Sequence, residues 1–222
     1  MQEAFSQTKN ASAVKNNYDR VAWFYDPLSR IVFRNAQIQA QQALIPYIPE
    51  HANILIAGGG TGGILEAIAD QYPAGLRITY VEISEKMIRK AEKRFTGKNT
   101  VTFVHSAIED YAAKSHFDVV ITAFLFDNFT QEKADRIFQK LDKLLQPDGK
   151  WLFTDFHIDK KSSRSWKTWL LKSMYLFFKF FSEVEASQLP DTTSLFKKAG
   201  YHAIFTAFWY RKFIHSSIYQ KP

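Results

Sequence analysis

Ten consecutive residues constrain this chain most: Ile54-Leu55-Ile56-Ala57-Gly58-Gly59-Gly60-Thr61-Gly62-Gly63. The apolar opening reads as a buried strand. It breaks into glycines, which let the backbone take positive φ and come close to a ligand. Ile64-Leu65-Glu66-Ala67-Ile68-Ala69 then starts a helical pattern. A helix start presents unpaired N–H groups and the positive end of the dipole. The next apolar run, Leu76-Arg77-Ile78-Thr79-Tyr80-Val81, ends on Glu82. An acid in that position accepts hydrogen bonds from ribose hydroxyls. Strand, glycine turn, helix and acid together indicate an adenosine-type cofactor.

Beyond this unit the pattern alternates. Strands are expected at 53–57, 76–82, 100–104, 117–123 and 149–155, and helices at 62–71, 84–95, around 107–113 and at 130–146. That rhythm implies a parallel sheet with helices on both faces. Asp148-Gly149 marks a tight turn into the fifth strand. A last helix, Asp191 to Ala199, stops at Gly200, and the apolar runs 201–209 and 212–219 suit an antiparallel edge hairpin. Ahead of the alternation, 1–16 read as a frayed leader and Tyr18 to Tyr47 as helix interrupted at Asp26-Pro27. The expected class is α/β: a doubly wound, Rossmann-like sheet of seven strands, mostly parallel, with a C-terminal antiparallel hairpin. One domain would span 1–222, with a helical cap (1–50), a cofactor core (51–155), a substrate-lid insertion (160–190) and a C-terminal helix and hairpin (191–222).

Composition narrows the chemistry. A chain of 222 residues holds one such domain and a modest insertion, but not a dinucleotide domain plus a second catalytic domain. No stretch of 18 uncharged apolar residues appears, and Met1 to Asn17 lack the apolar core of a signal peptide, so a cytoplasmic location is expected. The absence of cysteine excludes disulfides, thiolate metal sites and cysteine nucleophiles. Six scattered histidines form no ligand pair at helical spacing, and no metal is expected. The net charge of +7 permits nucleic acid or anionic membrane as a partner without requiring either. Lys86, Arg89, Lys90, Lys93 and Arg94 fall in one helical stretch and read as a solvated face.

Gly58, Gly60 and Gly63 also satisfy Gly-x-Gly-x-x-Gly, so a nicotinamide dinucleotide competes. Against it, the chain has no room for a second mononucleotide half and ends in an aromatic strand pair. Taken in order, the motifs resemble the class I S-adenosylmethionine-dependent methyltransferases. Ala57-Gly58-Gly59-Gly60-Thr61-Gly62 resembles that family's first motif, and Val81-Glu82-Ile83-Ser84-Glu85-Lys86-Met87 its second-strand motif. Phe117 to Ala123 is similar to the fourth strand, and Leu144-Leu145-Gln146-Pro147-Asp148-Gly149 to the turn before the fifth. Tyr18-Asp19-Arg20-Val21-Ala22 with Tyr25-Asp26 resembles a helix that caps the cofactor. The resemblance implies S-adenosyl-L-methionine held by Tyr18, Tyr25, Ala57, Gly58, Gly60, Gly62, Glu82, Ile83, Met87, Ser106, Ala107 and Ala123. Two positions depart from the family. Its loop-supporting acid is replaced by Ile56, and its adenine-contacting aspartate by Ser106.

Methyl transfer from a sulfonium is an in-line displacement, so holding the acceptor and excluding water supply much of the catalysis. Acceptors less nucleophilic than a thiolate gain from a base. In open α/β sheets the substrate lies beyond the carboxyl ends of the strands. The catalytic candidates there are Asp155, His157 and Asn128, with Asp127 beside them. Each has a structural alternative: His157 as a loop histidine bonded to backbone, Asp155 as a helix cap, Asp127 and Asn128 as caps of the helix that follows. Residues 165–181 are aromatic with interspersed lysines. They suit a greasy lid over a lipophilic or aromatic acceptor, a peripheral membrane contact, or a homodimer contact. The layout there is similar to ubiquinone and menaquinone C-methyltransferases. The expected function is therefore methylation of a small molecule. A catalytically degenerate binding protein of the same fold is the alternative. An oxidoreductase would need a Tyr-x-x-x-Lys pair, and 124–146 contain no tyrosine. A nucleic-acid partner is not expected, since Ala123-Phe124-Leu125-Phe126-Asp127-Asn128 lacks a flipped-base motif.

Overall fold

The computed structural model describes residues 35–158 and 188–222. In chain order the elements are α1 (Ala36–Gln42), β1 (Asn53–Ala57), α2 (Gly63–Gln71), β2 (Ala74–Glu82), α3 (Glu85–Ala91), β3 (Lys98–His105), β4 (Phe117–Ala123), α4 (Gln131–Leu144), β5 (Leu145–Phe156), α5 (Thr192–Lys198), β6 (His202–Trp209) and β7 (Ile214–Gln220). The strands form one sheet in the order β3-β2-β1-β4-β5-β7-β6. Only the β5–β7 and β7–β6 pairs are antiparallel. The doubly wound, seven-stranded architecture expected from the sequence is present.

Central strands of such a sheet must be apolar on both faces. In β1, Leu55 and Ala57 enter one core while Ile54 and Ile56 enter the other. The first core is closed by α4 through Ala134, Ile137, Phe138 and Leu141, the spacing of one helical stripe. Its centre is Trp151, which is fully buried, stacks on Phe138 at 5.0 Å and donates from Nε1 to Thr122 Oγ1 at 2.9 Å. The second core is closed by α2 through Ile64, Leu65 and Ile68. A third, smaller cluster of Ala40, Phe156, Phe213 and Ile214 lies where α1 meets β5 and β7.

Several local expectations are corrected. No helix forms around 107–113; Asp110 and Tyr111 both donate main-chain N–H to Ala107 O in a single turn. Only Ile108 of that stretch is buried, and one unsupported turn does not repay its nucleation. The helix expected over 84–95 stops at Ala91 and tightens into three-residue turn bonds, while the Arg94 side chain turns to Thr61 O. Strand β5 starts at Leu145, not 149, and absorbs Asp148 (φ 59°) through a register shift. The expected antiparallel hairpin does close that edge of the sheet, with β7 buried between β5 and β6 and the largely exposed β6 outermost. Its turn runs through Tyr210, Arg211 and Lys212, all at positive φ, and delivers Phe213 into the third cluster. Tyr18, Tyr25, residues 1–34 of the expected 1–50 cap and the aromatic segment 165–181 lie outside the described residues. Among the described residues no helix is long and apolar enough to cross a membrane.

Candidate cofactor and acceptor site

Parallel pairing of β3, β2, β1, β4 and β5 brings their carboxyl ends to one edge of the sheet. Ala57 lies level with Val81 and Thr122, Glu82 with His105, and Ala123 with Thr154. The loops that follow therefore face a common crevice, where open α/β sheets bind ligands.

On the β1–β2 side the crevice is built mainly from backbone. Gly58 N and Gly59 N both donate to Val81 O, at 2.9 and 3.4 Å, so the loop continues the β1–β2 ladder before it turns. Gly62 caps α2 in the left-handed conformation at φ 81°, and Leu65 N returns to its carbonyl at 2.9 Å. The hub is Glu82, whose side chain is buried. Its Oε2 accepts from Gly60 N at 2.9 Å and its Oε1 from Ser84 N at 2.9 Å. Burial pushes this carboxyl above its usual range, opposed by hydrogen bonds from Ser84, Gly60 and Ile83 and by the nearby His105. His105 in turn bonds Ile83 O through Nε2 at 2.9 Å. From outside, Arg94 donates Nε to Thr61 O at 3.0 Å and pairs with Glu66 at 3.1 Å.

The open side of this loop fits an adenosine ligand. A Cβ built on Gly60 meets no protein atom within 4 Å, so the space beside that residue is free for a close approach. Glu82 accepts from the main-chain N–H groups of Gly60, Ser84 and Ile83, three of the roughly four lone-pair directions of its two oxygens, and keeps a further one to accept a hydroxyl. Ile83 and Met87 lie at the start of α3, with Met87 buried and its N–H held by the Ser84 cap at 3.3 Å. Ser106 follows β3 and donates its N–H to Glu82 O at 3.1 Å; its hydroxyl is turned to Ala107 O at 2.8 Å. Ala57 is buried at the β1 end, and Ala123 ends β4.

The β4–β5 side is built from side chains. Asp127 and Asp155 are both buried, 9% and 4% exposed. Asp155 Oδ2 accepts from Phe126 N at 3.1 Å and Oδ1 from its neighbour Phe156 N at 2.8 Å. Burial pushes Asp127 up to about 7. Burial and the Asp127 charge push Asp155 well above the carboxylate range. Like charges in a dry site resist ionising together, so the two share protons as a pair. Asn128 Nδ2 bonds Phe124 O, Leu125 O and Asp127 Oδ1, at 3.0, 3.2 and 2.9 Å. Neither Asp127 nor Asn128 caps α4; they form a short 3-10 turn, and the N-cap is Thr130. His157 donates its N–H to Phe213 O at 2.8 Å, and its ring lies 5.3 Å from Phe208 and 5.8 Å from His215. His215 is held down to about 4 by burial and by His157.

Two features of the crevice go beyond the sequence reading: the pairing of Asp127 with Asp155, each expected there singly, and the backbone of Phe124. The Asp127–Asp155 pair joins different strand ends, and no local spacing announces it. Phe124 stands at φ 53°, a left-handed conformation uncommon for a bulky residue, with its ring 5.0 Å from Phe156. Its place just after β4 is the only sequence signal.

Comparison with known proteins agrees with this geometry. A family described as "Methyltransferase domain" matches residues 54–149, from β1 into β5. The chain is 28% identical over 146 residues to malonyl-[acyl-carrier protein] O-methyltransferase 2 of Ilyobacter polytropus, covering 66% of this chain and 54% of that protein. It is 25% identical over 156 residues to the ubiquinone/menaquinone biosynthesis C-methyltransferase UbiE of Wigglesworthia glossinidia brevipalpis, covering 68% and 62%. The chain thus spans little more than half the length of these two relatives. In fold it is similar to magnesium protoporphyrin IX methyltransferase from Synechocystis PCC 6803, solved with S-adenosylhomocysteine bound: TM-score 0.68, 14% identity, 94% of this chain and 99% of that one. Residues 54–149 thus match a methyltransferase domain, and sheet order, glycine loop and the acid at the end of β2 give the chain the class I methyltransferase fold, for which the cofactor is S-adenosylmethionine.

Proposed function

We propose that this chain methylates a small, lipophilic or aromatic acceptor. S-adenosylmethionine, when bound, supplies an electrophilic methyl group. In this reading Glu82 accepts the ribose hydroxyls, and the loop of Ala57, Gly58, Gly60 and Gly62 receives the rest of the cofactor on main-chain groups. Ile83, Met87, Ser106, Ala107 and Ala123 border it.

The observation that carries the acceptor class is the aromatic wall at the carboxyl ends of β4 and β5. Phe124 packs on Phe156 at 5.0 Å, and Phe156 on Phe213 at 5.1 Å, with Trp209 and Tyr210 against the same cluster. Such a wall excludes water and favours a flat or greasy partner. The strained φ of Phe124 fits a site that its surroundings hold in place. Asp155 and Asn128 act here by fixing the turn that carries Phe124 and Asp127. His157 takes the acceptor's proton at the rim.

The test is transfer of a labelled methyl group from S-adenosylmethionine to a panel of alkylated quinols and phenols beside polar amines and carboxylates. Transfer is expected to the apolar members. Transfer confined to polar acceptors would sink the acceptor class. Retained binding of S-adenosylhomocysteine with no transfer to any acceptor would favour the degenerate binding protein.

A further inference from the structure

The glycine loop lacks an acid on β1, yet it is held firmly. The residue in that place, Ile56, is 2% exposed in the second core, and its partner in register on β2 is Tyr80. Tyr80 is fully buried and reaches up to the loop, donating its hydroxyl to Gly60 O at 3.0 Å. Two residues along the same strand, Glu82 accepts from Gly60 N at 2.9 Å. One strand thus grips both main-chain polar groups of a single loop residue, the N–H through a carboxylate and the C=O through a phenol.

The ring adds a second hold. A Cβ on Gly59 would lie 2.1 Å from Tyr80 Cζ and 2.5 Å from its hydroxyl oxygen. No side chain fits there while Tyr80 occupies the space, and the ring is fixed in turn against Phe103 at 5.2 Å. Gly59 is a glycine because of Tyr80, which is a reason different from the positive φ of its neighbours Gly58 and Gly60.

We propose that Tyr80 is a positioning residue for cofactor binding: its hydroxyl and ring set the glycine loop in the form that presents Gly60 to the ligand, and Gly59 exists to admit that ring. Tyr80 acts through the loop and through no contact with reacting atoms.

Three variants test it: Tyr80→Phe, Gly59→Ala and the double variant Gly59→Ala/Tyr80→Leu. Each is titrated calorimetrically with S-adenosylhomocysteine, with thermal unfolding and amide exchange of the ligand-free protein alongside. Tyr80→Phe keeps the ring and loses one buried hydrogen bond, so Kd should rise about tenfold. Its Tm should stay within about 4 °C. Amides of 58–62 should exchange faster while those of β1 and β2 keep their protection, a change that a general loss of stability would not localise. Gly59→Ala should weaken binding more than Tyr80→Phe does, and the smaller leucine should restore part of that loss. Three results would overturn the proposal: Tyr80→Phe binding within about twofold of wild type, loop exchange unchanged by Tyr80→Phe, or a double variant no better than Gly59→Ala alone. If the wild type itself binds no S-adenosylhomocysteine, the cofactor assignment fails instead. The exchange measurement then still decides whether Tyr80 anchors the loop.

Discussion

The two halves of the crevice solve the same problem with different materials. On the β1–β2 side, main-chain groups do the holding. Val81 O takes two loop N–H groups, Glu82 takes that of Gly60 together with those of Ile83 and Ser84, and the side chains that assist come from contiguous stretches. On the β4–β5 side, buried carboxyls, an amide and aromatic rings converge from β4, β5 and β7. A backbone cradle suits a ligand that never changes. A wall of side chains can be re-specified one residue at a time. A fixed cofactor and a variable acceptor call for that division.

The sharpest way to break the contrast is Glu82→Ala. It strips Gly60 N and Ser84 N of their shared partner in a buried site and removes the acceptor offered to ribose. Charge-assisted bonds are the strong ones, so Kd for S-adenosylhomocysteine should rise on the order of a hundredfold or more. Equal binding by wild type and variant in calorimetry would remove Glu82 from the cradle.

Asp155→Asn probes the other half. The amide keeps one acceptor oxygen where the carboxyl serves the N–H groups of Phe126, Asp127 and Phe156, leaving a buried N–H unsatisfied. Unfolding in urea should show a loss of about 1–3 kcal/mol. The Kd for S-adenosylhomocysteine should move less than about threefold, because the two halves share no hydrogen bond through this residue. A large loss of cofactor binding would mean that the halves are one unit.

How much of this was legible in the sequence follows the same divide. The cradle reads off one strand, one glycine run and one acid, because the residues that build it are near neighbours in the chain and their φ demands show as glycine. Sheet class and β4 were equally plain, since a strand buried on both faces must be apolar throughout. The acid pair was not, because Asp127 and Asp155 meet only through the pairing of β4 with β5. The expected helix at 107–113 failed for a related reason: its residues have helical propensity but only Ile108 is buried against the sheet. Tyr80 reads as ordinary strand alternation, and its grip on Gly60 appears only once β2 lies beside the loop.

The acid pair also gives the β4–β5 side a pH dependence. Both carboxyls titrate above their ordinary range in the folded protein, Asp127 through burial and Asp155 through burial first and the Asp127 charge second. The folded chain therefore binds more protons than the unfolded one above about pH 4. This contribution to stability is full below about pH 4 and is lost as pH rises through the Asp127 titration at about 7. Asp127→Asn cannot ionise and still offers Oδ1 to Asn128, so Tm measured from pH 5 to 8 should fall less steeply than in wild type. A parallel pair of curves would show that the carboxyls ionise freely.

The smallest effect belongs at the outer edge of the cradle. Arg94 ties the loop through Thr61 O and pairs with Glu66, but the two side chains are 29% and 44% exposed. Solvent screens such pairs, which are worth about 0–1 kcal/mol. The aliphatic stem matters separately, because it packs against the α2 start, where a Cβ on Gly62 would lie 3.2 Å from Arg94 Cγ. Arg94→Met keeps that stem and removes the donors. Its Kd for S-adenosylhomocysteine should rise about two- to fivefold at low salt, with the difference shrinking in about 0.5 M salt. The loop would then rest chiefly on β2, with Arg94 only trimming it from outside. A loss as large as that of Glu82→Ala would reverse that ranking and put the anchor of the cradle on α3's trailing turn.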